Sequence, residues 1–297
     1  MTERLLGQPI AERTNVASRA RIAARPAGTP PPSLVSVHRG VDSPFRFYLR
    51  RQAKAAEAVG ITFRDIALDP SAGPTDLVER VRALDRDPSV HAVLLEHPLP
   101  APFDFYAAVA ELRPEKDVDG VGPLNLGRLV AQRPIHVPAV ARAAVDIAQH
   151  YRLPLAGERV VVLGRSETVG LPLALLLGGR AEGIHATVTI AHSRTRRLDR
   201  VLADARTIFS CVGQPGLLHR GNVPEGAHIV DVGLSSVPDP DRAGGVRAVG
   251  DADATALEGW AGSLTPVPGG VGPVTVADLM AGCVRAWERA VRPEGGP

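Results

Sequence analysis

The chain has 297 residues, of which 44% are hydrophobic and 22% charged, with a formal net charge of +2 at pH 7. That length admits one large domain or two modest ones, and so small a charge gives no electrostatic case for nucleic acid or an anionic membrane as partner. No apolar run reaches the roughly 20 residues that span a bilayer, and Met1 to Ile10 lacks the basic-then-apolar pattern of a secretory leader, so the expected compartment is the cytoplasm.

In chain order, a Pro-rich break at Thr29 to Pro32 precedes Ser33 to Val37, which has strand character. Ser43-Pro44 reads as N-cap and first helical residue of a helix that runs to Gly60, a natural stop. Ile61 to Ile66 is expected to be extended, Thr75 to Leu84 helical, and His91 to Leu95 a buried strand ending at Glu96. The alternation of strand and helix predicts a parallel α/β sheet. A second alternation starts near Pro138, with a helix over Ala139 to His150 and a short buried strand over Arg159 to Leu163. A helix rich in Leu and Ala follows, then strands at Ala186 to Ala191, Thr207 to Val212 and His228 to Val232, the pattern of a dinucleotide-binding domain. Pro293 to Pro297 reads as a polar tail. Cys211 and Cys283 form no Cys-x-x-Cys spacing and are expected to be packed apolar residues, not a disulfide or zinc site. Of 34 basic residues only Lys54 and Lys116 are lysine, which reads as a codon bias.

Gly164-Arg165-Ser166-Glu167-Thr168-Val169-Gly170 joins a strand to a helix. Its glycines let the backbone turn tightly and approach a pyrophosphate, whose charge sits at the helix N-terminus. The spacing differs from G-x-G-x-x-G, so the loop alone is also compatible with a ligand-free turn. About 25 residues on, at the next strand end, stands His192-Ser193-Arg194-Thr195, where dinucleotide enzymes read the adenosine ribose. An acidic residue there would favour NAD. Ser193 and Arg194, with Arg165 nearby in sequence, suit a 2′-phosphate and predict NADP. Val212 and Gly213, at a later strand end, are expected to line the dinucleotide. His136 and His192 are read as structural or loop residues, and no metal constellation is expected.

Four blocks carry a resemblance that covers nearly the whole chain. They are Pro98-Leu99-Pro100; Lys116-Asp117-Val118-Asp119-Gly120 with Asn125 and Gly127; Gly164-Arg165-Ser166 through Gly170 and Pro172; and Thr265-Pro266-Val267-Pro268-Gly269-Gly270-Val271-Gly272-Pro273 with Thr275. In this order they resemble the bifunctional methylenetetrahydrofolate dehydrogenase/cyclohydrolases, and a chance match to all four is negligible. The resemblance implies a two-domain α/β protein, usually a homodimer, with a folate cleft between the domains. Residues 1–137 plus 274–297 would form the folate domain and 138–273 the Rossmann-like NADP domain. In the family NADP takes hydride from 5,10-methylenetetrahydrofolate, and the methenyl cation is then hydrolysed to 10-formyltetrahydrofolate. Tyr48 matches the tyrosine that stacks on the aminobenzoate ring. Asp119 matches the carboxylate that binds the pterin's amino and ring N–H donors. Pro98, Leu99, Pro100, Pro266, Pro268, Gly269 and Gly270 match substrate-binding positions, and Val169 and Thr275 fall with the cofactor set.

One position departs decisively. The family's catalytic lysine lies four residues after the tyrosine, on the same helical face, and here that position is Gln52. Lys54 cannot replace it, because two residues rotate a helix by about 200°. Where the family has a glutamine that bonds the lysine, this chain has Glu96, followed by His97 in place of an apolar residue. Phe45, Val137 and Val140 differ close by in sequence. The site Gln52, Glu96, Asp119 and Tyr48 therefore lacks its cation.

Hydride transfer needs mainly positioning, whereas hydrolysis needs a group that handles protons. The sequence thus predicts an NADP-dependent methylenetetrahydrofolate dehydrogenase with weak or absent cyclohydrolase activity. A repurposed site is the alternative. Glu96 and Asp119, close and without a cation, would raise one pKa. A protonated Glu96 would then help open the folate ring and pass its methylene, or with NADPH a methyl equivalent, to an unidentified second substrate. A non-catalytic folate-binding paralogue is a further alternative, against which the intact cofactor loops argue.

Overall fold

The computed structural model describes residues 1–38, 40, 43–239 and 245–291, without the side chains of 43–47. Phe45 and the Pro293 to Pro297 tail therefore lie outside the described structure. The chain opens with β1 (Glu3–Arg4) and α1 (Gln8–Ala23), and continues through β2 (Ser33–His38), α2 (Ser43–Val59), β3 (Thr62–Ala67), α3 (Pro74–Arg86) and β4 (Ala92–Leu95). Helices α4 (Phe105–Val109), α5 (Pro123–Val130) and α6 (Ala139–His150) lead to β5 (Arg159–Leu163), α7 (Gly170–Gly178), β6 (Thr187–Ala191), α8 (Leu198–Leu202), β7 (Thr207–Ser210) and β8 (His228–Asp231). The remainder is β9 (Ser235–Pro238), β10 (Val246–Val249), α9 (Ala254–Leu257), β11 (Ser263–Leu264) and α10 (Val271–Val291).

Two units result, one of residues 12–139 and 276–297, the other of 1–11 and 140–275. The expected domain boundary is thereby corrected at the start of the chain. Residues 1–11 belong with the later residues because β1 pairs in parallel with β11, Glu3 opposite Ser263 and Arg4 opposite Leu264.

The first of these units is built on a three-stranded parallel sheet, β3-β2-β4. Strand β2 is buried along its whole length, so alternate residues enter two cores. Leu34 packs with Ala56 and Val59 of α2 and with Met280, Cys283 and Trp287 of α10. Val35 and Val37 face Leu77, Val81 and Leu84 of α3 and Phe105 of α4. Helix α3 follows its sequence signals closely. Pro74 opens it, Asp76 accepts from the Gly73 amide at 2.7 Å, and the buried residues fall at i, i+4 and i+7.

The other unit carries a six-stranded sheet of order β1-β11-β8-β7-β5-β6, parallel throughout. The chain leaves β5 for β6 on one side, and β7 returns to the other side of β5. This is the topological switch at which open α/β sheets bind ligands beyond their strand ends. Strands β9 and β10 form a separate antiparallel pair.

Candidate functional site

In the three-stranded unit, helix periodicity puts Gln52, Ala56 and Val59 on the buried face of α2, all at most 2% exposed. Tyr48, one turn earlier, is half-buried. Facing Gln52 is the same side of β2 that carries Leu34 and, two residues on, Ser36. Glu96 directly follows β4 and is held to β2 by its amide, which donates to the Val37 carbonyl at 3.0 Å. The segment before Asp119 runs beside β4. The Val93 amide donates to the Lys116 carbonyl at 2.8 Å and a parallel bridge pairs Val93 with Asp117. Asp119 lies in the turn that follows, which the Gly120 amide closes on the Asp117 carbonyl at 3.0 Å.

A small polar cluster closes around Glu96. Gln52 Nε2 donates to Glu96 Oε1 at 3.0 Å and Ser36 Oγ donates to the same oxygen at 2.9 Å. Both donors are fully buried and Glu96 is 5% exposed. Burial pushes the Glu96 carboxyl up, against the lowering effect of these two hydrogen bonds. Asp119 has weaker support, a single 3.4 Å bond from the Ala139 amide. Burial, then Asp117, then Glu96 push its carboxyl up to about 7. Burial thus raises both carboxyls of the pair, as expected from the sequence, and Asp119 has the weaker hydrogen-bond support. Burial first, and then the carboxylates of Glu96 and Asp119, raise the Tyr48 phenol above its ordinary range.

Neither lysine enters the cluster. Lys54 is exposed on the far side of α2. Lys116 donates instead to the carbonyls of Leu84, Asp85 and Asp87 at 3.2, 2.8 and 2.7 Å, capping the C-terminus of α3. Among the described residues, Gln52 Oε1 is buried and has no hydrogen-bond partner. Asp117, beside Asp119, is structural. It accepts from Gly122 N and Asn125 Nδ2, each at 2.8 Å, and from Gly120 N at 3.1 Å. Pro98 and Pro100 are exposed and Leu99 half-buried, and the His97 ring meets Phe105 edge-on at 4.6 Å. His136 is buried with its Nε2 3.0 Å from the Glu115 carbonyl, and burial lowers it to about 4, a neutral structural imidazole.

The six-stranded unit gathers the predicted nucleotide residues at strand ends. Gly164 follows β5, and Ser166 Oγ accepts from the amides of Val169 and Gly170 at 3.2 and 3.4 Å at the start of α7. Gly170 is required by packing, since a Cβ there would lie 2.4 Å from the Gly164 carbonyl oxygen. Arg165, Ser166, Ser193 and Arg194 are exposed. The His192 turn is held locally, with His192 N donating to Thr195 Oγ1 at 2.9 Å and Arg194 N to His192 Nδ1 at 3.2 Å. Val212 and Gly213 follow β7, across the switch point from Gly164, and Val212 is 41% exposed. Pro266, Pro268, Gly269 and Gly270 belong to this unit, with Pro268 exposed. Thr275 is less apt than expected as a cofactor contact. Its hydroxyl is buried and donates to the Val271 carbonyl at 3.2 Å, within its own helix. Cys211 is half-buried and its thiol donates to the Leu163 carbonyl at 2.8 Å. Burial pushes it up to about 12, far from a reactive thiolate.

Sequence reasoning missed Ser36 and the carboxylates Asp231 and Asp251. Ser36 was visible only as the second serine of the otherwise apolar strand Ser33 to Val37. The two aspartates carry no local signal, because their partners lie far along the chain.

Residues 5–119 match the family described as Tetrahydrofolate dehydrogenase/cyclohydrolase, catalytic domain. Residues 138–291 match Tetrahydrofolate dehydrogenase/cyclohydrolase, NAD(P)-binding domain. The chain is 40% identical to the Bifunctional protein FolD of Nocardia farcinica over 288 residues, 97% of this chain and 98% of that one. Among solved structures it is similar to the N5,N10-methylenetetrahydrofolate dehydrogenase-cyclohydrolase of Trypanosoma brucei complexed with NADP cofactor and inhibitor. The TM-score is 0.91 at 32% identity, covering 98% of this chain and 99% of that one. A 5,10-methylenetetrahydrofolate dehydrogenase from the silkworm Bombyx mori gives a TM-score of 0.88 at 32% identity, with 97% and 99% covered.

Proposed function

Because the chain belongs to the tetrahydrofolate dehydrogenase/cyclohydrolase family, we propose that it oxidises 5,10-methylenetetrahydrofolate to the 5,10-methenyl compound with NADP⁺, and that the following hydrolysis is weak or absent. The observation that carries the second half is Gln52. Its amide is fully buried and bonded to Glu96, at the position where the family places an ionisable lysine.

The residues of the six-stranded unit fit a dinucleotide. The close approach of Gly170 to Gly164 leaves backbone where side chains would stand, and the amides at the start of α7 suit a pyrophosphate. Exposed Ser193, Arg194 and Arg165 suit a 2′-phosphate, which favours NADP. Bound NADP⁺ supplies the hydride acceptor. On the folate side, Tyr48 offers its ring face to the aminobenzoate group, and Asp119, once ionised, accepts from the pterin N–H donors. Positioning of this kind suffices for oxidation. Hydrolysis asks in addition for proton handling, typically worth about 10²- to 10⁴-fold in rate. The Gln52 amide does not titrate, so the position where the family has its lysine supplies no proton handling.

The test is absorbance of the purified protein with methylenetetrahydrofolate and NADP⁺, following NADPH and the methenyl product together. NADPH formation with accumulating methenyl-folate supports this reading, while NADPH with prompt loss of the methenyl absorbance sinks the hydrolysis-deficient part. A second reading has one observation in its favour. Gln52 Oε1 without a partner, together with Glu96 and Asp119, forms a cluster of acceptors that suits an ammonium. An amine as acceptor of the methylene would use it. Silence toward NADP⁺ with both ligands bound, and consumption of methylene-folate on adding an amine, would shift the choice to that reading. The family reading also carries a cytoplasmic homodimer, and a monomer in sedimentation velocity at micromolar concentration would count against the dimer.

A further inference from the structure

Beyond the ends of β7, β8 and β11, two buried aspartates tie four segments of the six-stranded unit together. Asp251 is fully buried. Its Oδ2 accepts from Ser210 Oγ at 2.7 Å and from the Val212 amide at 2.9 Å, and its Oδ1 accepts from the Gln214 amide at 2.7 Å. Asp231, 2% exposed, accepts from the amides of Gly233 and Asp251 at 3.0 Å and of Ala252 at 2.8 Å. Its own amide donates to Thr265 Oγ1 at 2.7 Å, and Thr265 returns a 3.2 Å bond to the Asp231 carbonyl.

The packing is as tight as the hydrogen bonding. A Cβ on Gly233 would lie 2.2 Å from Asp251 Oδ1, and one on Gly250 would lie 2.1 Å from Asp231 Oδ2. Each carboxylate is therefore seated on the backbone of a neighbouring segment and has no freedom to turn away. Every donor aimed at Asp251 comes from the end of β7 or from the loop that follows it. Val212 and Gly213 in that loop stand exposed beside the switch point, opposite Gly164. A loop that receives a ligand through its backbone must hold its shape before the ligand arrives, and a buried carboxylate accepting charge-assisted bonds is a stiff means of holding it.

We infer that Asp251 is a positioning residue for the nucleotide, fixing the Val212–Gln214 loop in the conformation that receives it. The inference rests on the dehydrogenase reading. Its chemistry sets a strict requirement, because three donors converge on two oxygens. Asparagine in this place keeps the size but turns one acceptor into a donor. In either orientation its NH₂ faces a backbone amide, of Gln214 or of Val212, and the loop must move. Asp231 is the comparison, reaching the loop only indirectly through the Asp251 amide. It is equally buried, yet its donors lie on residues 233 and 251–252 and none on 212–214.

The experiment compares Asp251→Asn with Asp231→Asn by calorimetric titration of the full chain with NADP⁺ and, separately, with tetrahydrofolate, alongside thermal melts. Asp251→Asn is expected to raise the NADP⁺ Kd by about tenfold or more, the scale of one lost charge-assisted bond, with tetrahydrofolate Kd within about twofold. Asp231→Asn is expected to lower the melting temperature similarly while raising the NADP⁺ Kd by less than about threefold. Equal losses of NADP⁺ affinity in the two variants, or an unchanged Kd in folded Asp251→Asn, would overturn the positioning role. Should Asp251→Asn fail to fold, Ser210→Ala removes one donor and asks the same question in a milder form. If the wild type itself ignores NADP⁺, the dehydrogenase reading fails. Amide exchange then decides the positioning of the loop: Val212 and Gln214 should be protected in the wild type and unprotected in Ser210→Ala.

Discussion

At Asp119, burial, Asp117 and Glu96 all oppose ionisation, and the carboxyl titrates at about 7. The form that accepts from pterin N–H groups is the carboxylate, so folate affinity should climb as pH rises through about 7, by up to about tenfold per pH unit below it. Calorimetric titrations at pH 6 and 8 check this, and a flat profile would remove Asp119 from folate binding. The sign for stability is the reverse. A raised carboxyl pKa stabilises the fold while the group is protonated, and that contribution is lost between about 4 and 7 as pH increases. The melting temperature of the wild type should therefore fall relative to Asp119→Asn across that interval. Gln52→Lys should restore hydrolysis by about 10²-fold or more, read as faster decay of methenyl absorbance; no change would show that the lost step does not hinge on this position. Gln52 and Glu96 were legible in the sequence because a motif fixed their places. Their bond was legible only as a family analogy, and Ser36, the second donor, was not foreseen, since a serine in a buried strand looks like any other small residue.

Among the elements, α3 was read nearly to its ends, Thr75 to Leu84 against Pro74–Arg86, whereas α7 was foreseen without bounds. Pro74 and Asp76 open α3, and Lys116 closes it from another part of the chain. Lys116→Met leaves three carbonyls without their ammonium and should cost about 1–3 kcal/mol in denaturant unfolding, with KM for folate unchanged. Gly170→Ala forces its methyl against the Gly164 carbonyl and should abolish NADP⁺ binding while sparing that of tetrahydrofolate, a contrast that paired titrations resolve. Helix α1 escaped the sequence reading for a physical reason. Over Gln8–Ala23 its buried residues, Ile10, Ala11, Ser18 and Ile22, include a serine and two arginine-flanked positions, so no clean apolar stripe forms. The β9–β10 pair was missed too, because each strand has only four residues and none of them is buried.

For the whole molecule, two alternating strand–helix stretches announced two α/β units, and the structure bears out that class. The error at the first eleven residues arose because a two-residue strand has no period to detect, and its partners lie some 260 positions away. Leu5 is fully buried and its amide donates to the Leu264 carbonyl at 3.0 Å, so deleting residues 1–6 should cost at least about 2 kcal/mol. Amide exchange should show the loosening in β11 and leave β2 protected; uniform exchange in both strands would contradict it. A last consequence concerns the two lysines. With Lys116 buried and its ammonium bound by three carbonyls, only Lys54 offers a solvent-facing side-chain amine. A succinimidyl fluorophore should thus couple on the outer face of α2, two residues from Gln52. Beside the chain's α-amine, this would be the one side chain labelled, so a peptide map locates the probe on that helix without a cysteine being engineered.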